Sequence, residues 1–175
     1  MMTHEKIMAS RQLAGRVMRY HTHPTLRKQS VNEHQARVAK LYVELWGMPR
    51  AEVLYYCLAH DDGELAAGDT PFYAKRAVPE LKTSTDAAEK MGQLTLGQTL
   101  PVLEDEEWLR FKLSDLLEMW EYSVVERNMG NRYADTVLQN LRPAIMDLAR
   151  RTGVDIKMMN WLRANQPEER TYDRD

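Results

Sequence analysis

Cysteine is almost missing: Cys57 stands alone in 175 residues. That excludes an intramolecular disulfide and any zinc site built from several thiolates, and it suits a reducing compartment. Turn formers are scarce too, with eight glycines and seven prolines, and phenylalanine occurs only twice. This is little material for a turn-rich β protein. Long apolar runs are absent. No stretch reaches the ~18 residues that span a bilayer, and Met1 to Ser10 lack the apolar core of a secretory signal. The expectation is a cytoplasmic protein with no membrane partner. An excess of one charge is lacking as well, because 24 basic residues stand against 26 acidic ones, for a net charge of −2. Proteins that wrap nucleic acid draw much of their affinity from neutralising phosphates and carry a basic excess, so nucleic acid is not the expected partner. An anionic ligand would have to be held by a few placed cations or by a metal.

What is present resembles an ordinary globular chain, 43% hydrophobic and 29% charged. A chain of this length buries roughly 70% of its unfolded surface, so it folds without a metal or disulfide staple. Residues 1–166 read as one domain and 167–175 as a polar tail.

The apolar spacing is helical from end to end, which predicts an all-α fold. Ile7, Met8, Leu13, Ala14, Val17 and Met18 recur closer to every 3.6 residues than every two. A polar loop from His21 to Gln29 follows. Ser30-Val31-Asn32-Glu33 is a capping box, in which serine and glutamate each satisfy a free amide of the first turn. Ala36, Val38, Ala39, Leu41, Val43 and Leu45 carry that helix to Gly47. Pro49 suits the first turn of the next, which runs toward His60. Residues 61–71 break the pattern with Asp62-Gly63 and Gly68-Asp69-Thr70-Pro71, and Thr83 to Asp86 reads as a new helix start. The acidic run Glu104 to Glu107 opposes a helix macrodipole at the head of a long segment, where Trp108, Leu109, Leu113, Leu116, Leu117, Trp120 and Val124 recur at steps of mostly three and four. Gly130-Asn131 ends it. Two more helices follow, one holding Pro143 as an expected kink and the last built on Met158, Met159, Trp161 and Leu162.

Several chemistries can be set aside. There is no phosphate-cradling G-x-x-x-x-G-K-[ST] loop, no glycine fingerprint after a strand, and no second histidine at metalloprotease spacing from His4-Glu5. Cys57, within an apolar helix, reads as packing. What remains is His34, His60-Asp61 and Asp115. Singly, each histidine reads as a hydrogen-bonded core or surface residue and Asp115 as a solvated helix position. Together, two imidazoles and two carboxylates make a neutral shell for one divalent cation, and mixed nitrogen and oxygen donors favour zinc, cobalt, manganese or iron over magnesium. Neighbours on a helix point about 100° apart, so His60 and Asp61 share an ion only at a crevice, where Gly63 would give the backbone freedom.

Val31-Asn32-Glu33-His34, Leu58-Ala59-His60-Asp61, Glu64, Gly68-Asp69 with Pro71, Lys75 and Ser114-Asp115 resemble the HD-domain phosphohydrolases. Within that family the chain is similar to the 5′-deoxynucleotidase branch, including small viral dATP triphosphohydrolases that accompany 2-aminoadenine genomes. The likeness runs from Arg19 to about Asp115. It implies a compact helical bundle that binds a divalent transition metal (zinc, cobalt or manganese, with magnesium possible as a second ion) through His34, His60, Asp61 and Asp115. It implies Glu64 as the proton-transferring carboxylate and Asp69 beside it in the catalytic pair, contacting the deoxyribose hydroxyl. Arg19 and Lys75 would take the phosphates, and Tyr20 and Thr22 would face sugar and base. That branch typically carries tryptophan where Tyr20 stands here, which leaves sugar and base selection open. The implied reaction is hydrolysis of dATP to deoxyadenosine and triphosphate by a homo-oligomer in the cytoplasm. Hydrolysis of deoxynucleoside monophosphates, and a non-catalytic helical binding module, remain alternatives.

Overall fold

The computed structural model describes residues 4–167. Residues 168–175 of the expected tail, and the side chains of Ile7 and Met8, lie outside the described part. The elements are α1 (His4–Ala14), β1 (Met18–Arg19), β2 (Gln29–Ser30), α2 (Val31–Trp46), α3 (Ala51–Ala59), a 3-10 turn (Asp62–Leu65), α4 (Phe72–Ala77), α5 (Pro79–Thr95), α6 (Asp105–Asn128), α7 (Ala134–Arg151) and α8 (Asp155–Ala164). Among the described residues the fold is all-α apart from one antiparallel ladder that pairs Met18 with Ser30 and Arg19 with Gln29.

Helix α6 is the spine. One apolar cluster joins it to α2, α7 and α8 through Leu41, Leu117, Trp120, Leu141, Ile145 and Met158. A second joins it to α2 and α3 through Val38, Tyr42, Val53, Cys57 and Phe111. With both clusters on its apolar faces, α6 still buries Asp115, Glu118, Tyr122 and Glu126. These four recur at steps of three, four and four, so they form one polar stripe down the helix. This stripe positions everything described below.

Some helix boundaries differ from the sequence expectation. Helix α1 stops at Ala14, and Met18 belongs to the ladder. The amides of Val31 and Asn32 donate to the carbonyls of Val17 and Gly15, docking this segment on the head of α2. Pro49 precedes α3 rather than entering it, because Arg50 is the N-cap. Helix α5 starts at Pro79, four residues before Thr83: proline at N1 needs no amide donor and sets the helical φ. The capping box at Ser30 is formed, and Glu104 with Glu107 makes a second one at the head of α6.

At the far end of the stripe, the Glu126 carboxylate fastens the loop that leaves β1. It accepts hydrogen bonds from the amides of Leu26 (2.7 Å) and Arg27 (3.0 Å), from Arg27 Nε (3.3 Å) and from Asn131 Nδ2 (2.9 Å). Burial opposes its charge, but the Asn131, Leu26 and Arg27 donors prevail and hold its pKa below the ordinary glutamate value. A carboxylate depressed on folding stabilises the protein above its unfolded pKa of about 4.3, and that stability is lost as pH falls through the folded value. Glu126→Gln is therefore expected to cost about 1–3 kcal/mol at pH 7. Urea melts should show the gap to the unsubstituted protein closing as pH drops below about 4.

Candidate metal centre

Two imidazoles and a carboxylate converge where α2, α3 and α6 meet. His34 lies in the first turns of α2, directly after the Ser30 cap, and is completely buried. Its Nδ1 is 2.6 Å from Glu118 Oε2. His60 closes α3, and its Nδ1 donates to the Cys57 carbonyl at 3.0 Å. A carbonyl accepts but never donates, so His60 carries its hydrogen on Nδ1 and turns the Nε2 lone pair inward. Phe111 sets that ring edge-to-face at 4.8 Å, and the two imidazole centroids are 5.3 Å apart.

Asp61 follows at the point where the chain leaves the α-helix for the 3-10 turn. Its Oδ2 stands 3.4 Å from His60 Nε2 and 3.5 Å from His34 Nε2. Donor atoms of His34, His60 and Asp61 all lie within 4.8 Å of one another. Asp115 approaches from α6, with Oδ1 3.2 Å from His34 Nε2, while its Oδ2 accepts from Lys112 Nζ at 2.6 Å. Both Nε2 atoms are buried without a hydrogen-bond partner. Orphaned imidazole nitrogens facing carboxylate oxygens fit a divalent cation bound by nitrogen and oxygen, as the donor chemistry requires.

The electrostatics show the same demand for positive charge. Burial opposes the Asp115 charge, yet Lys112 and His34 hold its carboxyl well below the usual range. Burial likewise opposes Asp61, and His60, His34 and Arg19 keep it ionised. Burial pushes His60 down. His34 is pushed down by burial and by Arg19, but the Asp115 and Glu118 carboxylates beside it raise it overall.

Gly63 serves a purpose other than the backbone freedom expected of it. A Cβ there would fall 2.2 Å from the Glu89 carbonyl oxygen, and one at Gly92 would fall 2.4 Å from the Gly63 oxygen. Two glycines thus let the 3-10 turn press directly onto α5. The next residue, Glu64, is 6% exposed and its Oε2 is buried without a partner. Burial first, then Asp61 and Asp69, push its pKa up to about 9, against the pull of Arg19.

Arg19 NH1 bonds Glu118 Oε2 and Gln29 Oε1, both at 3.1 Å, and its Nε is buried and unpartnered. Lys75 Nζ bonds Glu89 Oε1 at 2.9 Å, and its charge is felt by Glu64 and Asp61. Asp69 Oδ2 accepts from the Tyr20 amide at 2.9 Å. That bond helps hold Tyr20 at φ +58, a left-handed conformation that side-chain-bearing residues rarely adopt. The Tyr20 ring stacks on Tyr122 with centroids 4.7 Å apart and planes within 6°. Beside this pair lies a small cavity of about 20 Å³ whose lining includes His23, Glu126, Asn131 and Tyr133. Thr22 is exposed, with its hydroxyl 3.3 Å from His23 Nδ1. Among the described residues, no hydrogen bond or ion pair joins Thr22 to the metal cluster.

Sequence reasoning missed Glu118, Gln29, Lys112, Tyr122 and Glu126. Four of these five are on α6, three of them in the stripe at 115, 118, 122 and 126, and Gln29 touches that stripe through Glu118; the spacing was a readable signal.

No protein-family model matches the chain, and no curated protein matches it in sequence. Among solved structures it is similar to the cyanophage S-2L HD phosphohydrolase DatZ, in a structure bound to dA and one catalytic Zn2+ ion. The TM-score is 0.70 over 89% of this chain and 94% of that one. The fold is that of an HD phosphohydrolase. Sequence identity across the match is 21%, so the HD fold is shared across a wide sequence distance.

Proposed function

We propose that this chain is a metal-dependent phosphohydrolase of 2′-deoxynucleotides that cleaves dATP to deoxyadenosine and triphosphate. The observation that carries the proposal is the pair of buried, unpartnered histidine Nε2 atoms converging with Asp61, within a fold shared with an HD phosphohydrolase whose structure holds dA and zinc. His34, His60, Asp61 and Asp115 would hold the cation. When bound, it supplies Lewis acidity toward a phosphoryl oxygen and makes water a better nucleophile near neutral pH.

The chain's own residues do the rest. Burial, with Asp61 and Asp69 nearby, pushes the Glu64 carboxyl up, which suits a general acid donating to the sugar 5′-oxygen as the bond to the α-phosphorus breaks. With a neutral metal shell, a polyphosphate still needs cations. Arg19 offers a guanidinium edge and Lys75 a point charge. Asp69 and Tyr20, tied together by the Tyr20 amide, are the residues proposed to face the deoxyribose, with Thr22 toward the base. The substrate is thus a small molecule, and the same reading includes a cytoplasmic homo-oligomer.

The test is to incubate purified protein with each deoxynucleotide and ribonucleotide, with added zinc, cobalt or manganese, and to separate the products by chromatography. Intact triphosphate from dATP is the expected result. Orthophosphate released only from dAMP would point to the monophosphate reaction instead. No turnover of any nucleotide with any metal would leave a binding module.

A further inference from the structure

Glu118 is not part of the expected ligand set, yet it touches both halves of the site. It is 2% exposed and follows Asp115 by one helical turn. Its Oε2 takes His34 Nδ1 at 2.6 Å and Arg19 NH1 at 3.1 Å, and its Oε1 takes Gln29 Nε2 at 2.6 Å. Arg19 and Gln29 are cross-strand partners in the two-residue ladder, and Arg19 NH1 also donates to Gln29 Oε1 at 3.1 Å. One buried carboxylate therefore anchors both the His34 imidazole and the Arg19 guanidinium.

We infer that Glu118 is a positioning residue that sets both the metal-binding tautomer of His34 and the orientation of Arg19. A neutral imidazole has one N–H. An ionised carboxylate at Nδ1 accepts that hydrogen and leaves the Nε2 lone pair pointing at His60 and Asp61. Without it, the competing acceptor is Asp115 Oδ1, 3.2 Å from Nε2. Drawing the hydrogen there would block the metal-binding atom. On the other side, a buried guanidinium needs a counter-charge. Glu118 supplies one at NH1, while Nε stays buried without a partner.

This inference rests on the phosphohydrolase reading, and its test separates the two. Zinc affinity is measured on the substrate-free chain by competition with a chromophoric chelator. Glu118→Gln is expected to weaken zinc by 10–100-fold, the usual effect of losing such a partner, and to raise the KM for dATP. The double variant Gln29→Glu with Glu118→Gln moves the carboxylate to the neighbouring position, where it still meets Arg19 but not His34. It should recover KM while zinc stays weak, a split that general destabilisation does not produce. In the unsubstituted zinc-loaded chain, nitrogen-15 NMR should show His34 protonated at Nδ1 and metal-bound at Nε2, a readout that needs no variant to fold. Zinc affinity within twofold in a folded Glu118→Gln chain, or zinc on Nδ1, overturns the inference. An unsubstituted chain that binds no zinc overturns the phosphohydrolase reading as well.

Discussion

Replacing His34 with alanine is expected to abolish zinc retention and to reduce hydrolysis of dATP by at least about 10³-fold, the cost of losing a water-activating cation. His34 also meets three carboxylates: Glu118 at Nδ1, and Asp115 and Asp61 at Nε2. Removing the imidazole leaves these anions facing one another in a buried space, so the zinc-free protein should lose about 2–4 kcal/mol of stability as well. His60→Ala provides the contrast. Its Nδ1 bonds only a backbone carbonyl, and of the three carboxylates only Asp61 stands against its Nε2. It should therefore lose zinc as completely with a smaller loss of stability. Metal content after dialysis and urea melts of both variants make the comparison. One equivalent of zinc retained by His34→Ala would remove that residue from the ligand set.

The helical architecture was readable because the apolar spacing of each long helix agrees with its packing. The Ser30-x-x-Glu33 box places the start of α2, and so His34, within a residue. The ladder was not readable: two residues are too few to show alternation, and it forms because Arg19 and Gln29 both reach Glu118 on α6. The start of α5 was displaced because Thr83 looks like a cap, whereas Pro79 carries the stronger constraint. The convergence of His34, His60 and Asp61 followed from residue types and their order. Glu118 was overlooked for a different reason. A single carboxylate in an amphipathic helix reads as solvated, and only the packing of β1 and β2 over that face turns it into a buried anchor. Thr22 lies exposed next to His23, a surface position that its place in the chain alone does not reveal.

Glu64→Gln is expected to keep zinc while lowering hydrolysis by about 10²–10⁴-fold, the usual contribution of a general acid or base. The amide fills the same space and resembles the neutral carboxyl that burial favours there, so neither the 3-10 turn nor the metal donors are disturbed. The zinc-free chain gives an independent check through stability. With its pKa raised to about 9 in the folded state against about 4.3 unfolded, Glu64 makes the folded protein bind more protons than the unfolded one between those values. Stability contributed by this group therefore falls as pH rises across that window. Glutamine does not titrate, so the variant should gain on the unsubstituted protein steadily from about pH 5 to pH 9. A variant that gains in this way yet turns over dATP at the full rate would place Glu64 beside the reaction without a proton to carry in it. Loss of both zinc and activity would instead make it a ligand.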